Sequence, residues 1–147
     1  MKKTILICFS LFLFVKVFSQ PVTAELVLGT WLTASGKAKV QIYKDGDFYN
    51  GKIVWLKEPV HEDGKFKVDK NNSDKTKRDV PLLGLKLLKN FKFKDGEWSE
   101  GFIYDPENGK TYSCFIKYRD GKLDLRGYLG ISLIGRTQTW FKVADIK

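Results

Sequence analysis

The sequence predicts an all-β protein, a single antiparallel up-and-down β-barrel of about eight strands. Three observations carry that expectation. Runs of alternating apolar and polar residues recur along the chain, as half-buried strands require. Three Asp-Gly pairs lie between such runs, at Lys44-Asp45-Gly46, Lys94-Asp95-Gly96 and Arg119-Asp120-Gly121. Asp-Gly favours tight hairpins because both central positions need positive φ, which Gly adopts freely and Asp tolerates. Finally, an even number of strands joined by short turns closes on itself and leaves no exposed edge. A two-sheet sandwich is the alternative.

The chain opens on a leader rather than on the fold. Lys2 and Lys3 are followed by an apolar stretch over residues 4–15, and Val17-Phe18-Ser19 offers small or branched residues ahead of Gln20. This pattern predicts a secretory signal peptide over residues 1–19, cleaved on export to the periplasm or beyond. The apolar run before Lys16 is shorter than the roughly 18 to 20 residues that span a bilayer. Nothing later in the chain is long and apolar enough to be transmembrane.

The barrel is expected over residues 26–145. Its first strand, residues 28–34, carries Trp31. After Ser35-Gly36, Ala38, Val40 and Ile42 alternate with Lys39, Gln41 and Tyr43. The third strand, residues 47–56, holds Phe48, Tyr49 and Trp55, with Gly51 marking a bend or bulge. Residues 57–81 are the one long irregular segment, either functional or disordered. A single turn of helix near Pro81 precedes a fourth strand from about Leu87. The fifth, residues 97–104, sets Trp98, Phe102 and Tyr104 on one face. Asp105-Pro106-Glu107-Asn108-Gly109 turns the chain into residues 111–118, Asp120-Gly121 into residues 122–128, and a glycine-bounded apolar link into the last strand, residues 136–143.

Composition narrows the function classes. The chain has 26 basic and 17 acidic residues, a net charge of +9. Lys2, Lys3 and Lys16 leave with the leader, so the remaining 128 of 147 residues carry +6. The most charged segment, residues 62–79, interleaves its signs and reads as a solvated loop, which disfavours nucleic-acid binding. Weak attraction to anionic envelope polymers or headgroups fits the balance. After cleavage Cys114 is the sole cysteine, so no internal disulfide forms. It alternates with Tyr112 and Ile116, the pattern of a small buried hydrophobe.

No catalytic constellation emerges. His61 is the only histidine, beside Glu62 and Asp63 in the polar loop, and one Cys with one His makes neither a zinc site nor a nucleophile–base pair. Residues 69–74 alternate oxygen-bearing side chains as calcium loops do. They lack the glycine at the sixth position, and Val80 stands where the bidentate glutamate belongs, so an Asx-turn loop is expected. Asp105 is expected to cap its own turn. No cofactor and no metal are expected.

Gly29-Thr30-Trp31, with Arg136 at the start of the last strand, resembles the lipocalin and related calycin barrels. The resemblance implies an indole sealing the closed end and Arg136 stacked across Trp31, with Gly29 allowing close approach. A wider resemblance covers nearly the whole mature chain. It runs through Ala38-Lys39-Val40, residues 51–56, Asp69-x-Asn71, residues 81–85, Tyr104-Asp105-Pro106, Gly109-Lys110-Thr111-Tyr112, Arg126-Gly127-Tyr128 and residues 135–140. This string is similar to the bacterial family catalogued as domain of unknown function 2147. It implies a small exported lipocalin-like barrel and no particular activity.

Three readings of function compete. The first is a non-enzymatic exported barrel, monomeric, that binds a small apolar or amphipathic molecule or an envelope component. The second is a structural or protein-interaction module with a filled interior. The third is an enzyme using Asp105 and Arg78. Under the first reading the long loop is a mobile flap, so Phe66, Asp69, Asn71 and Arg78 border the site. Trp55 and Tyr104 form its wall.

Overall fold

The computed structural model describes residues 21–145. The predicted leader lies outside the described residues. Eight strands form, β1 (Gly29–Leu32), β2 (Ala38–Asp45), β3 (Phe48–Leu56), β4 (Lys86–Lys94), β5 (Glu97–Asp105), β6 (Lys110–Arg119), β7 (Lys122–Tyr128) and β8 (Gly135–Val143). Each pairs antiparallel with the next, and β8 returns to β1, closing the barrel. The single up-and-down barrel expected from the alternation is therefore the fold.

The turns divide between two ends. Asp95-Gly96 and Asp120-Gly121 each centre a two-residue hairpin with positive φ at both positions, as Asp-Gly chemistry dictates. The first pair departs from that expectation. Asp45 ends β2 opposite Phe48, and only Gly46 of the turn is left-handed. All three tight turns lie at one end of the barrel. The longer connections, over residues 33–37, 57–85, 106–109 and 129–134, lie at the other.

The tight-turn end is plugged. A 3-10 turn, Ala24–Val27, crosses it and buries Val27 completely. Trp31 Nε1 donates to the Val27 carbonyl at 2.8 Å, and Trp98 Nε1 donates to the Ala24 carbonyl at 3.3 Å. Each indole satisfies its one donor while burying its rings. The core above this plug is built by Trp31, Val40, Ile42, Phe91, Trp98, Ile116, Leu123 and Trp140.

Bulges correct two expected faces. The β2–β3 register slips beside Val40, so Ile53 pairs with Val40 while Trp55 pairs with Lys39. The extra residue reverses the parity, and Trp55 turns outward beneath the Lys39 ammonium, 4.9 Å from its ring centre. A second slip between Trp98 and Gly101 puts Gly101 opposite Cys114 and leaves Phe102 exposed on the outer face. Trp98 and Phe102 therefore do not share a face. The helical turn expected near Pro81 lies earlier, at Lys75–Lys77, where the Asp74 carboxylate accepts from Thr76 N. Pro81 instead bridges to Val68.

Candidate functional site

A cavity of about 1070 Å³ opens at the loop end of the barrel. Its floor and walls are apolar, from Ile53, Leu56, Leu87, Ile103, Leu125 and Trp140. Its rim is charged, with Lys37, Lys57, Glu58, Lys67, Asp105, Glu107 and Arg136. An apolar concavity with a few polar groups at its mouth is the usual form of a small-molecule site. A smaller hollow, about 610 Å³, lies beside the long loop between Asp69, Asp74, Lys77, Lys89 and Lys110. Its lining mixes these charges with Leu85, Tyr104 and Leu129.

Sequence alternation places the walls. On β8, Arg136, Gln138 and Trp140 share one parity and all line the cavity. On β7, Leu125 and Gly127 do the same, paired with Gln138 and Arg136 respectively. Arg136 therefore stands at the mouth of the barrel, far along β8 from the plug. This corrects its expected place on Trp31. The cation over that indole is Lys142, further along the same strand and face, with Nζ 4.6 Å from the ring centre. Lys142 also donates to the Leu28 carbonyl. Its burial pushes the ammonium below its usual pKa, against the pull of Asp145. Gly29, at φ 107°, has its role with a different partner: a Cβ there would strike the Lys142 side chain. Asp145 completes this end by accepting from Thr30 Oγ1 at 2.7 Å.

The long loop is fastened rather than free. Asp69, fully buried, accepts from the Tyr104 hydroxyl at 2.7 Å and from Asn72 Nδ2 at 2.6 Å. Burial first, and the adjoining carboxylate second, push the Tyr104 phenol up to about 12. Asn71 Nδ2 donates to the carbonyls of Pro106 and Glu107, tying the loop to the β5–β6 turn. Arg78 Nε donates to the Asn72 carbonyl at 2.8 Å, inside the loop. Of the expected border residues, Asp69, Asn71 and Arg78 thus brace the loop, and the flap they were to belong to is anchored. Phe66 is 65% exposed and does not line the cavity. Of the expected walls, Tyr104 borders the cavity with its hydroxyl turned to the loop, while Trp55 faces away.

Other side chains settle as turn and core pieces. Asp105 accepts from Glu107 N and Asn108 Nδ2, both at 2.9 Å, capping its own turn. Asp74 is held by Thr76, and Asn72 Oδ1 accepts from Asp74 N, so residues 69–74 form an Asx-turn loop. His61 is exposed. Cys114 is buried in the wall, and burial pushes its thiol up to about 12, leaving it protonated and unreactive. The rim also bears an apolar loop over residues 129–134, in which Leu133 is 84% exposed. Arg126 holds that loop, donating to the carbonyls of Ser132 and Leu133.

Sequence reasoning missed Gln138, Lys142 and the apolar walls Leu87 and Leu125. The signal for the β8 residues was present, since positions 136, 138, 140 and 142 alternate with polar Thr137 and Thr139. Trp140 as core then implies an inward Arg136 above it and an inward Lys142 below.

Comparisons with known proteins agree with this architecture. The family described as an uncharacterized protein conserved in bacteria (DUF2147) matches residues 29–142. No curated protein matches the chain. Among solved structures, protein HP1028 from the human pathogen Helicobacter pylori, described as belonging to the lipocalin family, matches with a TM-score of 0.68. Its identity is 20%, over 81% of this chain and 84% of that one. At that identity the likeness establishes a lipocalin-like fold.

Proposed function

The chain belongs to DUF2147, and from that footing we propose that it is an exported, monomeric, non-enzymatic barrel that binds a small apolar or amphipathic molecule in its interior. The observation that carries this reading is the open cavity of about 1070 Å³ on an apolar floor. A filled interior would have favoured an interaction module. Asp105 is committed to its turn and Arg78 to its loop, so the pair offered for enzymatic work stays apart from the cavity floor. The leader pattern over residues 1–19 supports export to the periplasm or exterior.

The test is saturable binding of a neutral apolar fluorophore, N-phenyl-1-naphthylamine, by the protein and by Gly127→Phe. Gly127 lines the cavity, and a Cβ there meets nothing closer than 3.4 Å, so the ring projects into open space. One-to-one binding by the parent, lost in a variant that keeps its β-sheet circular dichroism, supports the reading. Absence of binding, or binding indifferent to the filled cavity, refutes it.

A further inference from the structure

Charge at the cavity mouth is arranged in pairs with a remainder. Lys37 meets Glu107 at 3.2 Å, and Lys67 meets Glu58 at 3.1 Å. Asp105 spends both oxygens on the β5–β6 turn. Every carboxylate on the rim is therefore engaged. Among the described residues, Lys57 and Arg136 lack a carboxylate partner. Lys57 follows the end of β3, whereas Arg136 belongs to the barrel wall itself.

The wall makes room for Arg136. Register runs Gly101 to Cys114 to Gly127 to Arg136 across four neighbouring strands. Phe91 fills the space at Gly101, since a Cβ there would clash with its ring at Cγ. Cys114 is small, and Gly127 leaves the position beside Arg136 without a side chain. Of that row only Gly127 and Arg136 line the cavity, so the space for a bound group beside the guanidinium is the one that Gly127 leaves.

The hydrogen-bonding groups beside it also face the cavity as donors. Trp140 Nε1 donates to Gln138 Oε1 at 3.4 Å, which occupies the amide oxygen and leaves the Gln138 NH₂ free. Tyr112 accepts from Asn108 Nδ2 at 3.0 Å, so its own hydroxyl proton remains to be given. A guanidinium, an amide NH₂ and a phenol, all with donors to spare, favour an anion. Below them the wall is Leu125, Ile53, Leu87 and Trp140.

We infer that the barrel takes an anionic, single-tailed amphiphile, its acidic headgroup held by Arg136 with Gln138 and Tyr112, its tail lying on Trp140 and Leu125. This rests on the cavity reading above and assigns the class of its ligand. The guanidinium offers two parallel N–H donors to a carboxylate, a match that a neutral headgroup forgoes.

The experiment compares dodecanoate with dodecanol, both below their aggregation limits, by displacement of N-phenyl-1-naphthylamine from the protein and from Arg136→Gln. The expected result is at least tenfold tighter binding of dodecanoate, a preference that weakens with added salt and disappears in Arg136→Gln while dodecanol binding persists. Equal binding of the two by the parent, or a preference that survives Arg136→Gln, overturns the inference and leaves the cavity reading standing. If neither compound nor the fluorophore binds, both fail.

Discussion

Replacing Gly109 by alanine tests whether the long loop is fastened to the β5–β6 turn or merely lies beside it. Gly109 has φ 70°, and a Cβ on it would overlap the Asn71 carbonyl and crowd the neighbouring backbone. Gly121 is the matched control: its φ is 78°, with nothing within 4 Å of the added carbon. Both substitutions bear the left-handed backbone penalty, about 1–2 kcal/mol for a non-glycine residue. Only Gly109→Ala must also displace Asn71. That movement breaks the two bonds from Asn71 Nδ2, at 3.2 and 2.9 Å, each about 0.5 kcal/mol given their exposure. Gly121→Ala should cost about 1–2 kcal/mol and Gly109→Ala about 2–4 kcal/mol, read from urea unfolding followed by tryptophan fluorescence. Limited proteolysis should show new cleavage within residues 57–85 for Gly109→Ala alone. Equal destabilisation with an equally protected loop would refute the anchoring.

Further outcomes follow from the plug, the buried phenol and the buried thiol. Lys142→Ala should lower stability by about 1 kcal/mol through the lost cover on Trp31, whereas Arg136→Ala should change it by less than about 0.5 kcal/mol, both measured by urea titration. Tyr104→Phe removes a donor from fully buried Asp69 and should cost about 1–3 kcal/mol in the same assay, with a value near zero excluding the bond as a brace. The Cys114 thiol is raised from 9.0 to about 12 in the folded chain, so above pH 9 the unfolded chain releases a proton that the folded one keeps. Stability then falls as pH rises from 9 toward 12, by about 1.4 kcal/mol per unit from this group, and Cys114→Ala should flatten that slope by a comparable amount.

Strand number, order and most boundaries were legible because alternation and turn chemistry are local. Gly46, Asp95-Gly96 and Asp120-Gly121 each lie in the turn that their sequence implies, and Cys114 is buried as its neighbours' spacing requires. Facing was less legible. Trp55 and Phe102 obey alternation until a bulge inserts one residue, and no residue type announces where that insertion falls. The sealing of the plug by a cation on Trp31 was right in its physics and wrong in its residue, because Lys142 and Arg136 share a strand face and only the register separates them. Asp69 and Asn71 were legible as important but not as braces. Their partners, Tyr104 and the carbonyls of Pro106 and Glu107, lie some 35 residues away along the chain.

The junction of β1 with β8 is the shortest seam in the wall, its pairing confined to three consecutive residues of β1: Thr30 with Val143, Trp31 with Lys142 and Leu32 with Phe141. It is also the one seam that joins the first strand to the last. The hairpins β2–β3, β4–β5 and β6–β7 turn over two residues each, so their pairings form at small entropic cost. The seam must wait until more than a hundred residues have been gathered. Folding is therefore expected to end with a clasp, in which Lys142 reaching over Trp31 and Asp145 meeting Thr30 latch an already curved sheet. Amide hydrogen exchange should reveal the same order in reverse, with β1 and the end of β8 exchanging ahead of the three hairpins.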